Sequence, residues 1–333
     1  MAGSNKMNKY ERQIAVTEFG VAGQKKISAA RVLVVGAGGL ASPVLQYLVG
    51  AGVGHIRLID PDIVVASNLH RQTLFRVDDI GSAKAEAAAN HMAGLNPDCK
   101  IKPITQQLTP DNVEAHIADV DLVIDCADSF SVSYTLSDNC QRRLPFVHAS
   151  VVGMAGYVGG FCADSPGLRA VFPDLPKRFG SCEQDGVLGP IVGVIGALQA
   201  QFSIAVITGT EPSPLGQLLT YDAAVSRFGG FRFDGAIDPK SYLQFISVSQ
   251  IQQGDFVIDL RESSEGPLVT PSAVRAGFDE ITADFPLASA ERIVFCCQSG
   301  QRAWAAAEKL SDFWLGPILL IAVGDPFFIM KED

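Results

Sequence analysis

Short apolar runs rich in valine, isoleucine and leucine punctuate the first 150 residues, separated by amphipathic or alanine-rich stretches. Arg31-Val-Leu-Val-Val35 ends in Gly36-Ala-Gly-Gly39, and an apolar helical pattern runs from Leu40 to Val49. Strand, glycine turn and helix in that order open a parallel, dinucleotide-type unit. His55–Ile59 reads as a second strand, Lys100–Ile104 as a third, Leu122–Asp125 as a fourth and Phe146–Ala149 as a fifth, with a helix over Ala83–Leu95. Residues 10–29 carry helical periodicity ahead of the first strand. Strands alternating with helices predict an α/β fold, its mostly parallel sheet covered on both faces. A glycine-rich polar stretch from Gly229 to Pro239 reads as a linker. Beyond it a smaller α/β pattern resumes, with strands at Phe256–Leu260 and Arg292–Cys296 and a helix over Arg302–Leu310. The predicted division is residues 1–235 and residues 241–333.

Composition agrees with two packed units. The chain has 333 residues, 47% of them hydrophobic and 19% charged, enough apolar material for a large core. Its net charge of −10 speaks against nucleic acid as the main partner, since phosphate binding needs a basic surface. Of that charge, −7 lies after residue 240, a shift that fits a domain boundary. Seven scattered cysteines without a C-x-x-C pair, and a polar first 24 residues, predict a reducing, cytoplasmic setting. The one membrane-length stretch, Val187–Gly209, contains Gln199, Gln201 and several glycines, and reads as a buried core helix rather than a span. No membrane partner is expected.

Candidate chemistry begins at Gly36, Gly38 and Gly39, where a tight turn lets backbone amides approach an anionic ligand. Asp60 ends the next strand, the place from which a carboxylate accepts hydrogen bonds from ribose hydroxyls. To this point a nicotinamide-dependent oxidoreductase fits equally well. The next segment separates the two: Asp62, then Ser67-Asn68-Leu69-His70-Arg71-Gln72, then Lys84. Basic residues just past a ribose-binding strand suit a triphosphate whose charge must be neutralised during attack. Asp125-Cys-Ala-Asp128 ends a later strand, and carboxylates there suit Mg²⁺ facing those phosphates, though Asp125 reads equally as a cap of the turn. His55, His70, His91, His116 and His148 show no metal spacing and read as surface or satisfied polar residues.

Taken in order, Y-E-R-Q-I, G-A-G-G-L, I-D-P-D, S-N-L-x-R-Q, G-x-x-K, D-C-A-D and the stretch Ser181–Ala200 resemble the MoeB/ThiF/HesA superfamily, bacterial relatives of ubiquitin-activating enzymes. The resemblance covers about Tyr10 to Phe228. It implies a Rossmann-like adenylation domain that binds ATP and Mg²⁺. It makes Asp60 the ribose carboxylate and places Asn68, Arg71 and Lys84 around the triphosphate, with Gln72 in the same polar cluster. Asp128 becomes the Mg²⁺-managing acid, and Arg12 an arginine that reaches into the neighbouring site of a homodimer.

Three departures stand out. Ala41 replaces the usual glycine, and Ala127-Asp128-Ser129 replaces Thr-Asp-Asn. The two C-x-x-C pairs that hold structural zinc in the family are missing: Gly167-Leu-Arg-Ala170 stands where the first would be. No zinc is therefore expected.

Two cysteines are candidates for sulfur chemistry. Cys182, in Ser181-Cys-Glu-Gln-Asp-Gly186, resembles the crossover-loop cysteine that links covalently to the carrier in ThiF-like members, and reads equally as a bystander thiol. Cys297-Gln-Ser-Gly-Gln-Arg302 lies between a strand and a helix and suits a loop whose amides and arginine stabilise a thiolate or persulfide. It resembles the active loop of rhodanese domains, as Asp259-Leu-Arg-Glu262 resembles their D-x-R-E segment and Thr270-Pro-Ser-Ala273, more faintly, their H-I-P-G-A. Cys296 reads as a core strand residue.

Together these resemblances imply ATP-dependent adenylation of the C-terminal Gly-Gly carboxylate of a small ubiquitin-like sulfur carrier, followed by thiocarboxylate formation with sulfur from a persulfide donor such as a cysteine desulfurase. A non-catalytic or adenylation-only scaffold stays open beside this reading, with the oxidoreductase as a remote alternative. Molybdopterin, thiamine and tRNA-thiolation pathways share near-identical activating sites, so the resemblance names a chemistry and not a pathway.

Overall fold

The computed structural model describes residues 9–175, 186–287 and 290–324. The first sheet holds β1 (Arg31–Val35), β2 (His55–Ile59), β3 (Lys100–Ile104), β4 (Leu122–Asp125), β5 (Pro145–Val152), β6 (Ala155–Cys162), β7 (Gln217–Asp222) and β8 (Arg227–Arg232). Their spatial order is β3-β2-β1-β4-β5-β6-β7-β8. Neighbours from β3 to β5 run parallel, and β5 through β8 continue antiparallel. Val32, Leu33, Val34 and Val35 are all but inaccessible, as a strand covered on both faces requires. Burying each such side chain stabilises the fold by roughly 1.5–3 kcal/mol.

Strand order reverses between β1 and β4, which pair Val35 with Asp125, while Val35 also faces Ile59 of β2. Gly36, Asp60 and Cys126 therefore leave the sheet on one edge. That edge is the crevice in which open α/β sheets bind ligands.

Helix Gly189–Thr208 is long and apolar enough to cross a membrane by composition, with mean hydropathy 1.8, yet about half of it is buried within the protein. Its inner face packs Ile191, Val192, Ile195 and Gln199 onto the sheet. Gln199 is fully buried and donates through Nε2 to the Asp125 carbonyl (2.6 Å). An amide so placed belongs to a protein core.

A second, all-parallel sheet follows: β9 (Gln244–Phe245), β10 (Asp255–Asp259), β11 (Val274–Arg275), β12 (Arg292–Cys297) and β13 (Ile318–Ala322), ordered β11-β10-β12-β13-β9. Helix Gln301–Ser311 follows β12.

Three features depart from the sequence expectations. The predicted linker begins inside β8, whose Arg-Phe-Gly-Gly-Phe-Arg residues are all exposed. An edge strand with little burial leaves no apolar alternation to read. Strands β6 and β7 were not expected, and glycines in β6 dilute their pattern. Helix Phe130–Cys140, rich in serine, was also not expected, because its helicity comes from burial rather than from propensity.

The two sheets share one apolar cluster, in which Tyr134 and Leu136 pack with Trp304 and Phe245. Tyr134 and Trp304 stack at 5.1 Å. Arg169, 3% exposed, lies between the Tyr134 ring (4.5 Å) and the Tyr242 ring (4.1 Å). Its Nε and Nη2 donate to the Asp138 carboxylate (2.7 and 3.0 Å), and Nη2 also donates to the Leu243 carbonyl (2.9 Å). Burial raises the Asp138 carboxyl above its ordinary range despite the arginine beside it. The Gly167 amide donates to Asp238 Oδ1 (3.0 Å). The Gly167–Ala170 segment is thus tied to residues 238–243 by an arginine clamp and a carboxylate.

Candidate functional site

Gly36 adopts φ 92°, and a Cβ there would lie 2.6 Å from the Cys126 carbonyl oxygen, so only glycine fits the turn. Gly38 and Gly39 continue the loop into helix Ala41–Ala51. Asp60, 6% exposed, braces that loop. Its Oδ2 accepts the Ala37 amide (2.6 Å) and its Oδ1 the Asp62 amide (2.8 Å). Burial pushes its carboxyl up to about 6, against the downward pull of the Lys84 charge and the loop amides.

Lys84, 6% exposed, opens helix Lys84–Leu95 and donates to Asp62 Oδ2 (2.7 Å). Arg71 turns back on its own segment, donating to the Ser67 carbonyl (3.1 Å) and lying 2.9 Å from His70 Nε2. Asn68 is buried and accepts the Val65 amide. Gln72, 4% exposed, sits against Gly38, and its Oε1 has no hydrogen-bond partner among the described residues. A buried acceptor left unpaired costs about 1–3 kcal/mol, and a donor on a bound nucleotide would satisfy it. The loop, the anchored carboxylate, the buried cation and this orphaned acceptor fit a nucleotide.

Asp128 is exposed at the exit of β4. Of the two readings of Asp125, phosphate-facing carboxylate and turn cap, the structure supports the second. Asp125 is fully buried, accepts the Ala127 amide (3.0 Å) and pairs with His148 Nδ1 (2.8 Å). His148 Nε2 in turn meets the Tyr157 hydroxyl (3.0 Å). Asp125 therefore braces the turn that presents Asp128, and Asp128 is the carboxylate left exposed at this turn among the described residues. Mg²⁺ held between one carboxylate and substrate phosphates needs no more. Among the described residues no cluster of three or more His, Cys, Asp or Glu is gathered to hold a metal.

Arg12 is exposed on the short helix Glu11–Ile14, away from this loop. Gln13 Nε2 donates to the Ala51 carbonyl (2.9 Å), and Tyr10 packs at Gly52. These contacts lie at the far end of helix Ala41–Ala51, about 15 Å along its axis from the glycine loop. Cys182 lies outside the described residues.

Cys297 ends β12 and is fully buried. The amides of Gly300 (3.1 Å) and Ala303 (3.3 Å) donate to its Sγ, and Gly300 takes φ 85° to close the loop. Arg302 pairs with Glu265 and donates to the Leu260 carbonyl (3.0 Å). The amides and Arg302 draw the thiol pKa down, but burial outweighs them and leaves it raised. The expected thiolate-stabilising loop thus exists in shape, while its free cysteine is held as a thiol. Asp259 is fully buried in a paired arrangement with Arg261 (2.7 Å) and the Val269 amide (3.0 Å).

Comparison with known proteins decides the family. The ThiF family model matches residues 10–240, more than half of the chain. The chain belongs to the ThiF family. It is 37% identical over 223 residues to the SAMP-activating enzyme E1 of Haloferax volcanii, covering 66% of this chain and 83% of that protein. It is 39% identical over 236 residues to the adenylyltransferase and sulfurtransferase MOCS3 of Culex quinquefasciatus, covering 70% of this chain and 54% of that one. The chain thus spans about half the length of its MOCS3 relative. Among solved structures, E. coli MccB with ATP superposes with a TM-score of 0.61 at 22% identity, over 70% of this chain and 73% of that one. That likeness shows the fold: a large, mostly parallel Rossmann-like sheet. The ThiF match ends before β9, so the second sheet lies outside it.

Within the ThiF unit, sequence reasoning missed the Asp125–His148–Tyr157 chain and the Gln199 anchor. Their members lie on β4, β5, β6 and the long helix, and no local pattern links residues so far apart. The only available signal was a polar residue inside an apolar run, as at Asp125, His148 and Gln199.

Proposed function

We propose that this ThiF-family chain binds ATP and adenylates the C-terminal Gly-Gly carboxylate of a small ubiquitin-like sulfur carrier, and that its second sheet is a rhodanese-like unit bearing sulfur on Cys297. The observation that carries the reading is the glycine loop braced by buried Asp60, with Lys84 beside it and the Gln72 acceptor unpaired. The names of its ThiF relatives, a SAMP-activating E1 and a MOCS3 adenylyltransferase and sulfurtransferase, support it.

Asp60 holds the ribose, and Arg71 and Lys84 neutralise charge on the phosphates as the carrier carboxylate attacks the α-phosphorus. The P–O bond to pyrophosphate breaks, and an acyl-adenylate forms. Asp128 is the residue that would hold Mg²⁺, which when bound would supply further charge neutralisation at the phosphates. The outer sulfur of a Cys297 persulfide, loaded by a sulfur-donor protein, then attacks the acyl carbon and AMP leaves. The resulting acyl disulfide is opened by a second thiol attacking Cys297 Sγ, which releases the thiocarboxylate and leaves a disulfide. An added sulfur extends the reactive atom about 2 Å beyond the buried Sγ.

The chain acts as a cytoplasmic homodimer. Partly exposed Val194 and Ala197 on helix Gly189–Thr208 offer a surface for a second copy. Placement of Arg12 far from its own glycine loop supports action in the partner's site. The full burial of Cys297 favours a second reading, adenylation without sulfur transfer.

Carrier-dependent pyrophosphate exchange tests the first half-reaction, and thiocarboxylate formation from a persulfide source tests the second. Cys297→Ser should keep exchange and lose the thiocarboxylate. Exchange with no thiocarboxylate even in the wild type selects the second reading, and absence of exchange with Gly-Gly carriers refutes both.

A further inference from the structure

The C-terminal edges of the two sheets face each other across a cavity of about 250 Å³. One wall comes from the segment after β3, including Gln107 and Thr109, and from Ser131 and Thr135 of helix Phe130–Cys140. The other comes from the ends of β9 and β13, including Phe245, Ser247 and Val323. Each wall adjoins a site already described. Ser131 is three residues past Asp128, and its hydroxyl lies 2.8 Å from that of Ser129. Val323 donates its amide to the Cys297 carbonyl (3.0 Å), and Ala322 pairs directly with Cys297 across the sheet. The cavity is thus one strand spacing, about 5 Å, from the strand that carries Cys297.

The walls are fixed relative to each other. Ser249 Oγ donates to Asp111 at the rim (2.7 Å), the Gln107 side chain packs on Gly324, and the Arg169 clamp and the Tyr134–Trp304 stack join the same two units elsewhere. Thr135 is 5% exposed and lines the cavity together with Gln107, Thr109, Ser131 and Ser247. Side chains with hydrogen-bonding capacity on both walls suit a polar occupant.

The chemistry of the lining narrows that occupant. Hydroxyls and one amide alternate with apolar groups, and among the described lining residues the one formal charge, Asp111, is engaged by Ser249. No described lining residue is basic. The volume falls below the roughly 300 Å³ at which pockets begin to take drug-sized ligands. Both points suit a narrow, uncharged strand of peptide backbone without side chains. We infer that this interdomain cavity seats the terminal glycines of the carrier as its acyl end passes from the adenylating site to Cys297 of the same chain. This rests on the proposed function and adds a binding site to it.

Two variants test it in the full-length protein, with a Gly-Gly-terminated carrier as the probe. Ser247→Phe fills the cavity from the half-buried rim, and Thr135→Val removes a lining hydroxyl at nearly constant volume. Both should retain carrier-dependent pyrophosphate exchange and the wild-type melting temperature. Single-turnover thiocarboxylate formation should fall about tenfold in Thr135→Val, the effect of one hydrogen bond, and further in Ser247→Phe. Thr135→Ser should restore the rate. Wild-type sulfur transfer in both variants overturns the cavity assignment and leaves the proposed function standing. Loss of exchange together with sulfur transfer also overturns it, because the residues would then belong to the nucleotide site. A wild-type protein without exchange removes the underlying function and the inference with it.

Discussion

Lowering the pH should weaken nucleotide binding through one residue, Asp60. Its carboxyl titrates at about 6 instead of the ordinary 3.8, chiefly because it is buried. At about pH 5 some nine-tenths of the folded molecules carry it protonated, and at about pH 8 almost none do. A protonated carboxyl loses acceptor capacity for ribose hydroxyls and for the Ala37 and Asp62 amides that shape the glycine loop. If only the ionised form is competent, apparent affinity falls with the competent fraction, about tenfold between these two pH values. Isothermal titration with adenosine avoids the titration of phosphate oxygens, and Asp60→Asn supplies the baseline without a titrating group.

Stability should respond with a fixed sign. A carboxyl with a raised folded pKa binds more protons in the folded than in the unfolded state between about pH 4 and 6. Folding stability from this group therefore decreases as pH rises through that window, by roughly 3 kcal/mol for a shift of about two units. Denaturation of the wild type at stepped pH should show this decline, and Asp60→Asn should lack it. Parallel profiles for the two proteins, in binding and in stability, would refute the claim that buried Asp60 governs the loop.

Arg71→Ala and Lys84→Ala should each lower carrier-dependent pyrophosphate exchange by about 10²–10³ with the fold intact, the effect of one lost charge contact in the transition state; near-normal exchange in both would remove the adenylyltransferase assignment. Arg169→Ala strands part-buried Asp138 and empties the aromatic sandwich, so urea denaturation should show a loss of about 3 kcal/mol. Purified protein should contain no stoichiometric zinc and keep its melting temperature in a strong chelator, an expectation that elemental analysis showing one zinc per chain would overturn. Mixing Arg12→Ala chains with Lys84→Ala chains should restore partial exchange, since one of two sites in a mixed dimer is then whole; confirmed mixed dimers without activity would place Arg12 outside the partner's site.

Local pattern determined a great deal. The strand, glycine turn and helix from Arg31 to Val49 are legible because backbone geometry at a tight turn demands glycine and a doubly covered strand demands β-branched residues. Asp60, Arg71 and Lys84 follow at spacings set by the same unit, so nucleotide chemistry can be read from one stretch of fewer than 60 residues. Edge strands and the serine-rich helix were not legible, since β8 buries nothing and Phe130–Cys140 is helical only because the sheet and Trp304 cover it.

Tertiary structure alone decided the rest. It withdrew Asp125 from the phosphates by giving it His148, a partner 23 residues away on the next strand. It set Arg169 between rings contributed by three separate segments, Tyr134, Tyr242 and Trp304. It buried Cys297 so deeply that desolvation outweighs the amides and arginine which the loop pattern advertised. It also turned the carboxyl edges of two sheets toward a common cavity. Each of these depends on groups distant in sequence and close in space, where burial and pairing set the energy of a charge, and one-dimensional spacing does not encode them.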